Sequence, residues 1–301
     1  MLKRFTFILL SLLMIFGFIG NQLTFASTND GEGINEKLGV PIVVYGDTLS
    51  DAQEKEVRNL LEVQNQENID EYRVNGKDIA NYIDGNPNSR MYSSVKITPK
   101  EKGSGLEVNL VTPDNITQVT KEMYKNALLT AGVQNATVDV ASPVKVSGHS
   151  ALTGIYKAYD EKGAKLDQER MKVANEELDV ATKLAEDAGI NQEQVSELIS
   201  AIKKEIAKQN PASKEEVEQI VNEQLKSLNI ELSAEDRQLL TNLFNKIRSL
   251  NINFNEVQKQ LDEITSSVKD LINDKGFWNS VANFFNSIMN AVANLINSLL
   301  S

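Results

Sequence analysis

The pattern of apolar and polar positions changes character about halfway along this chain of 301 residues. Before residue 162, short apolar or alternating runs of strand length are interleaved with helical patterns. From residue 164 onward, every strong pattern has the three- and four-residue spacing of an amphipathic helix. The change predicts an α+β domain at 40–162 and an all-helical domain at 164–275.

The α+β domain begins with a buried strand, Pro41 to Tyr45, followed by a Ser50–Gln53 capping box that opens a helix. Two β-rich runs, 91–98 and 106–111, are joined by a Gly-containing turn, which predicts a hairpin. With the later elements, the order is that of a split βαβ sandwich, the ferredoxin-like arrangement, with the first and third strands parallel at the centre.

The most densely specified stretch is 115–159. An apolar stripe from Ile116 to Ala131 predicts a helix that Gly132 ends in a left-handed conformation. A strand at 137–141 follows, and Ser150 is expected to cap a further helix. Beyond residue 164, short connections between helices favour antiparallel neighbours.

The first 26 residues have the form of a secretory signal peptide. Lys3 and Arg4 precede an apolar run, and Thr24 and Ala26 place small residues at a cleavage site after Ala26. A retained membrane anchor is the alternative. The chain has no Cys, which excludes a lipoprotein and all thiolate chemistry. We expect a secreted or extracytoplasmic protein associated with the cell envelope, of a Gram-positive type.

The last 25 residues, 277–301, form an amphipathic helical pattern in which no residue is charged. Asn and Ser residues occupy the polar face. Seven apolar positions are predicted to contact a partner or a membrane: Phe277, Trp278, Val281, Phe284, Phe285, Ile288 and Leu295. Docking on the helical domain's own core, self-association, a partner groove and a membrane interface all remain open.

The composition argues against several kinds of partner and site. There are 31 Lys plus Arg against 42 Asp plus Glu, a formal net charge of −11, so nucleic acid is not an expected partner. The single His leaves no multi-His metal site. No metal, cofactor or catalytic residue is predicted.

Candidate ligand-binding residues fall in two groups. The Ser147–Gly148–His149–Ser150 turn opens a helix whose N–H groups favour anions, and Thr153 precedes Gly154, a glycine in the first turns of that helix. The simpler interpretation is an ordinary helix start. Asp47, Thr48 and Asp114 follow strands that are expected to meet at one sheet edge, where two carboxylates could bind calcium or act as acid and base. Solvated turns are the simpler interpretation, because only two acidic groups are present.

The Gly46–Asp47–Thr48–Leu49–Ser50 turn is comparable to that of Gly-Asp-Ser-Leu hydrolases, but Thr48 stands at the nucleophile position and Val146 where the triad Asp belongs. The chain therefore lacks the serine nucleophile and the orienting Asp that a Ser/His hydrolase needs.

Runs within 115–133 and 146–159 resemble the Domain of Unknown Function 1002 family of secreted proteins, notably Asn126–Ala127–Leu128, Val146–Ser147–Gly148 and Lys157–Ala158–Tyr159. The resemblance implies an extracytoplasmic protein and no assigned activity.

We therefore expect a secreted, non-enzymatic protein that binds an envelope protein or a small ligand. The alternatives are a cell-wall polymer hydrolase with carboxylate acid/base residues, and a scaffold that uses the acidic helical domain.

Overall fold

A computed structural model describes residues 38–64, 68–250 and 252–273. Within these ranges the strands are β1 (Ile42–Gly46), β2 (Asp70–Val74), β3 (Ser94–Pro99), β4 (Glu107–Leu110) and β5 (Ala136–Ala141). The helices are α1 (Asp51–Leu60), α2 (Gly76–Ile83), α3 (Lys121–Ala131), α4 (Ser150–Glu161), α5 (Gln168–Asp187), α6 (Gln192–Gln209), α7 (Lys214–Ser227), α8 (Ala234–Ser249) and α9 (Phe254–Asn273).

The predicted mixed α+β class is confirmed: one five-stranded sheet is followed by helices. The strand order is β2-β1-β3-β5-β4. The β1–β2 and β4–β5 pairs are parallel, and β3 is antiparallel to both β1 and β5. Four strands therefore share one direction, and their carboxyl ends lie along the same edge of the sheet.

The strand order differs from the ferredoxin-like arrangement, and the predicted hairpin is wrong. β5 lies between β3 and β4. The reason is the connection at 100–106, which encloses the start of β5 instead of turning tightly. Asn135 Oδ1 accepts the N–H groups of Gly103 at 2.8 Å and Gly105 at 3.1 Å, and the Lys100 N–H donates to the Asn135 carbonyl oxygen.

Helices cover the two faces of the sheet unequally. On one face, α4 lies across β1, β2 and β3, and α3 contacts β4. On the other, α1 covers a smaller apolar cluster around Val43, Tyr45 and Leu61. Toward β4 this second face is polar, because Lys96, Asp139 and Asn109 form a cross-strand row there.

The helices after residue 164 pack directly on the sheet domain. α3 contacts both α5 and α6, and buried side chains form one apolar cluster that extends from β1 to α9. The sheet domain and the described helices after residue 164 thus share a core.

Several helix ends agree with the sequence signals. Ser50 and Gln53 form the expected capping box, Thr120 caps α3, and Gly132 ends it with a φ of 103°. The capping role predicted for Ser150 is wrong. His149 occupies the cap position in a helical conformation, which places Ser150 inside the first turn. The Ser150 hydroxyl instead donates to the Ser93 hydroxyl just before β3.

The predicted signal peptide and the segment 277–301 lie outside the described residues. No helix in the described ranges is long and apolar enough to cross a membrane.

Candidate functional site

All the candidate residues before 277 belong to segments at or near the carboxyl edge of the sheet. Asp47 and Thr48 follow β1, Asp114 follows β4, and the 147–150 turn lies between β5 and α4. In sheets built from parallel strands this edge is where ligands commonly bind. The structure joins these segments in two local groups, one around Thr48 and Ser150 and one around Asp114 and Ser147.

The first group is held together by the chain that leads into β3. Thr48 Oγ1 accepts the Met91 N–H at 2.8 Å, and the Thr48 N–H donates to the Met91 carbonyl oxygen at 3.1 Å. A Cβ on Gly46 would lie 2.2 Å from that carbonyl oxygen, so only glycine fits. The Thr48 hydroxyl therefore holds the turn in place, and Asp47 beside it is exposed.

The second group joins the segment after β4 to the segment after β5. Ile116 and Val146 form a parallel β-bridge, and the Thr117 N–H donates to the Val146 carbonyl oxygen at 3.0 Å. Asp114 lies in the short 3₁₀ turn before this bridge and is exposed.

The structure does not pair the two carboxylates as the ferredoxin-like order would. β3 and β5 lie between β1 and β4, so the strands that precede Asp47 and Asp114 are about 14 Å apart at ~4.8 Å per strand. Among the described residues, no cluster of three or more His, Cys, Asp or Glu side chains is placed to hold a metal ion.

Gly148 is fixed by close packing. Its φ is 112°, and a Cβ would lie 2.8 Å from the Tyr124 hydroxyl oxygen and 2.9 Å from Ile116 Cγ2. The Tyr124 hydroxyl donates to the Gly148 carbonyl oxygen at 2.5 Å. Burial raises the pKa of Tyr124 far above its usual value, so this hydroxyl stays protonated and keeps donating.

His149 links this turn to α5. Its Nε2 lies 3.1 Å from Thr182 Oγ1 and 3.4 Å from Asp179 Oδ1, and its Nδ1 lies 3.2 Å from Ser147 Oγ. Thr182 donates its hydroxyl hydrogen to the Leu178 carbonyl oxygen, so it accepts from Nε2. The ring hydrogen is then on Nε2, and Nδ1 accepts from Ser147.

The pKa of His149 is shifted in the direction that favours the neutral ring. Burial lowers its pKa below the usual 6.5, while the carboxylates of Asp179 and Glu186 act in the opposite direction. Burial raises the pKa of Asp179, and His149 opposes that shift.

Ser147, His149 and Asp179 form a serine–imidazole–carboxylate line that the sequence analysis missed. In serine hydrolases Nε2 faces the serine and Nδ1 the carboxylate, whereas here Nδ1 faces Ser147 and Nε2 faces Asp179. Asp179 is also 57% exposed. Ser147 reaches the ring from two residues away, as a contact within one turn. The line therefore orders the start of α4 and ties it to α5.

Thr153 and Gly154 have different roles. A Cβ on Gly154 would lie 3.3 Å from Val95 Cγ2 and 3.8 Å from Val74 Cγ1, so this glycine lets α4 approach the sheet. The close approach suggested by the sequence is made by strand side chains. Thr153 Oγ1 is buried, and no protein group in the described ranges hydrogen-bonds to it.

A second polar cluster that the sequence analysis missed lies where α3, α5 and α6 meet. Lys203 Nζ is 2.6 Å from Glu177 Oε1, with exposures of 2% and 1%. Glu177 also accepts from Thr130 at 2.6 Å, and Lys203 donates to the Asn126 carbonyl oxygen at 2.8 Å. A signal existed, because opposite charges interrupt the apolar stripes of neighbouring helices at Glu177 and Lys203.

The predicted contact residues Phe277, Trp278, Val281, Phe284, Phe285, Ile288 and Leu295 lie outside the described residues.

The fold and its sheet edge define a mixed α+β protein with a sheet covered by helices that continue into a helical array. The chain belongs to the family described as "Protein of unknown function (DUF1002)", whose model matches residues 45–264. It is 36% identical over 269 residues to "Uncharacterized protein YpuA" of Bacillus subtilis (strain 168), covering 86% of this chain and 90% of that protein. No solved structure matches the chain.

Proposed function

We propose that the chain is a secreted, envelope-associated protein that binds a partner or small ligand instead of catalysing a reaction. The observation that carries the proposal is how the polar groups at the sheet edge are used. Thr48 accepts from Met91, Ser150 contacts Ser93, and His149 connects Ser147 to α5. These are the groups that a hydrolase would need for attack or proton transfer, and here they connect segments of the fold.

The cell-wall hydrolase alternative receives less support. Glycosidic acid/base chemistry needs two carboxyl groups roughly 5–9.5 Å apart. Asp47 and Asp114 follow strands about 14 Å apart, with two strands between them. Both carboxylates are exposed, whereas the acid of a glycosidase pair is usually held in a sheltered cleft.

The segment 277–301 supports an interaction role through its sequence. The exposed faces of α7 and α9 carry charges, for example Glu218 and Glu223 on α7 and Asp262 and Lys269 on α9. The 277–301 segment has no charge on either face and has large apolar residues at helical spacing. Burying such side chains stabilises by roughly 1.5–3 kcal/mol each, which favours a contact with a partner, a second copy or a membrane interface.

Secretion is tested by fractionating cells that express the whole chain and sequencing the N-terminus of the extracytoplasmic protein. Cleavage after Ala26 supports the proposal, and retention of the full chain in the cytoplasm overturns it.

The interaction role is tested by deleting 277–301 and measuring sedimentation and flotation with zwitterionic and anionic vesicles. Phe285→Asp should reproduce the effect of the deletion, whereas Asn286→Asp adds the same charge on the polar face and should not. Unchanged assembly and flotation after deletion would refute an interaction through this segment. Covalent labelling of Ser147 by a fluorophosphonate probe would overturn the non-catalytic assignment.

A further inference from the structure

The outer side of β4 is an open strand edge. The Val111 N–H donates to the Val140 carbonyl oxygen at 2.8 Å, so odd-numbered residues of this segment direct their backbone groups toward β5. In a parallel pair the alternate residues direct theirs to the other side. Leu106, Val108 and Leu110 therefore point their N–H and carbonyl groups away from the sheet.

The first of these outward positions is already occupied by a side-chain amide. Gln260 of α9 accepts the Leu106 N–H through Oε1 at 2.6 Å, as the carbonyl group of an added strand would, and Gln260 is only 6% exposed. Among the described residues, no hydrogen bond joins the outward groups of Val108 or Leu110. The edge is thus satisfied at one end and open along the rest of its length.

The open edge of β4 lines a groove of about 350 Å³ as far as Asn109, and Leu110 lies just beyond that lining. β4 and the preceding loop form one wall, and α3 and α9 form the other through Lys125, Ile264 and Ser267. The Lys125–Glu263 ion pair, at 3.2 Å, joins the two helices.

The charges lining the groove balance. Lys100 pairs with Glu107 at 2.8 Å and Lys121 with Glu122 at 3.6 Å, in addition to the Lys125–Glu263 pair. The groove therefore favours no strongly charged ligand. On the core face of β4, Val108 and Leu110 are apolar, while Glu107 and Asn109 make the opposite face polar.

We propose that this groove binds an extended, uncharged peptide segment, with alternating apolar and polar side chains, as a sixth strand beside β4. An extended peptide presents donors and acceptors at the two-residue repeat of the open edge, and its side chains alternate between the two faces. The described residues that line the groove all precede residue 277, so either assignment can be refuted without the other.

A second copy of the chain fits this edge less well. If β4 paired with another β4, the partner's own α3 and α9 would have to lie beside the shared strands, where the helices of the first copy already form the far wall. A single added strand brings no helices of its own, and its axis would lie ~4.8 Å from β4.

The opposite edge of the sheet is built differently. β2 directs the backbone groups of Glu71 and Arg73 outward, since Asp70 and Val74 bond to the β1 side. Their side chains are tied to α1 by the Arg58–Glu71 and Arg73–Glu54 ion pairs, at 2.6 and 2.5 Å. Charged side chains at an edge oppose strand addition, which is why we assign the peptide to β4.

The test titrates the secreted chain with a blocked heptapeptide of alternating threonine and valine while its amide resonances are followed by NMR. We expect saturable shifts and slowed hydrogen exchange at the Val108 and Leu110 amides. The same peptide N-methylated at the edge-facing positions should not bind, because it lacks the amide hydrogens that pair with β4.

Two variants on α9 give a matched control. Ser267→Trp fills the groove, whereas Ser266→Trp adds the same side chain at an exposed neighbour outside the groove lining. We expect Ser267→Trp to weaken binding by at least about tenfold, because the indole would displace part of the peptide and remove one or two of its hydrogen bonds to β4. Ser266→Trp should leave binding unchanged. Equal binding by the N-methylated peptide, equal effects of the two tryptophans, absence of any shift, or a dimer joined through β4 would each overturn the proposal.

Discussion

Two polar clusters that join α5 to its neighbours differ in their access to water. The Glu177–Lys203 pair is enclosed by α3, α5 and α6, with both side chains at most 2% exposed. The His149 cluster joins the start of α4 to α5, and its ring is 25% exposed beside Asp179, which is 57% exposed. Both are built from a basic group, a carboxylate and a threonine hydroxyl, yet burial gives them different properties.

In the enclosed cluster, each charge depends on its partner. Burial lowers the pKa of Lys203, and Glu177 opposes that shift through its charge and a hydrogen bond. Removing one member leaves an uncompensated charge without water to solvate it. In the His149 cluster water can replace a lost partner, so a change there should have a small cost, and protonation is accessible. The first cluster fixes the packing of helices, and the second can respond to pH.

The comparison is tested most severely by Glu177→Gln. We expect a loss of about 3–5 kcal/mol in the free energy of unfolding, the usual cost of breaking a buried ion pair on one side. Urea unfolding followed by circular dichroism measures it.

The neighbouring Glu176→Gln is the matched control, because Glu176 pairs with Lys246 at the surface, at 2.6 Å. That change should cost less than about 1 kcal/mol. Replacing both members, as Glu177→Leu with Lys203→Met, should cost less than Glu177→Gln alone. Equal losses for Glu176→Gln and Glu177→Gln would contradict the role assigned to burial.

A smaller loss is expected from Gly148→Ala, which acts on the turn that positions His149. The new Cβ would collide with the Tyr124 hydroxyl oxygen and Ile116 while the backbone keeps a φ of 112°. We expect a loss of about 1–3 kcal/mol, measured by the same unfolding assay. Gly189→Ala separates the two causes, since Gly189 has a φ of 66° with no atom within 4 Å of the added Cβ. If both variants lose the same amount, the packing around Gly148 has no role of its own.

The sequence predicts elements of this fold better than their arrangement. The capping box at Ser50 and the stop at Gly132 are local, because each depends on hydrogen bonds within one turn, and both were predicted correctly. The order of β3, β5 and β4 depends on Asn135 holding a loop that is distant in sequence, and no local pattern contains that contact.

In the candidate site, too, the local features could be predicted from the sequence and the distant contacts could not. Gly148 and His149 could be selected as a helix start, but their partners Tyr124 and Thr182 are 24 and 33 residues away. The roles of these two residues could not be derived from the turn alone.

The mildest test of the comparison uses the only imidazole in the chain. Because burial lowers the pKa of His149 in the folded state, the unfolded chain takes up a proton first as the pH falls below about 6.5. Stability is therefore fully present above that pH and falls with decreasing pH until the folded-state pKa is reached. Asp179, whose pKa is raised, contributes with the opposite sign, and its contribution is lost as the pH rises through its folded-state pKa.

We expect wild type to lose more stability than His149→Gln between pH 7.5 and 5, because glutamine can still donate to Thr182 but does not titrate. NMR should show the imidazole of wild type titrating below 6.5. In Asp179→Asn it should titrate lower still, because one of the two carboxylates that raise its pKa is gone while Glu186 remains. An imidazole titrating above 6.5, or unaffected by Asp179→Asn, would mean that His149 is not enclosed against α5. The properties assigned to the His149 cluster in this comparison would then be wrong.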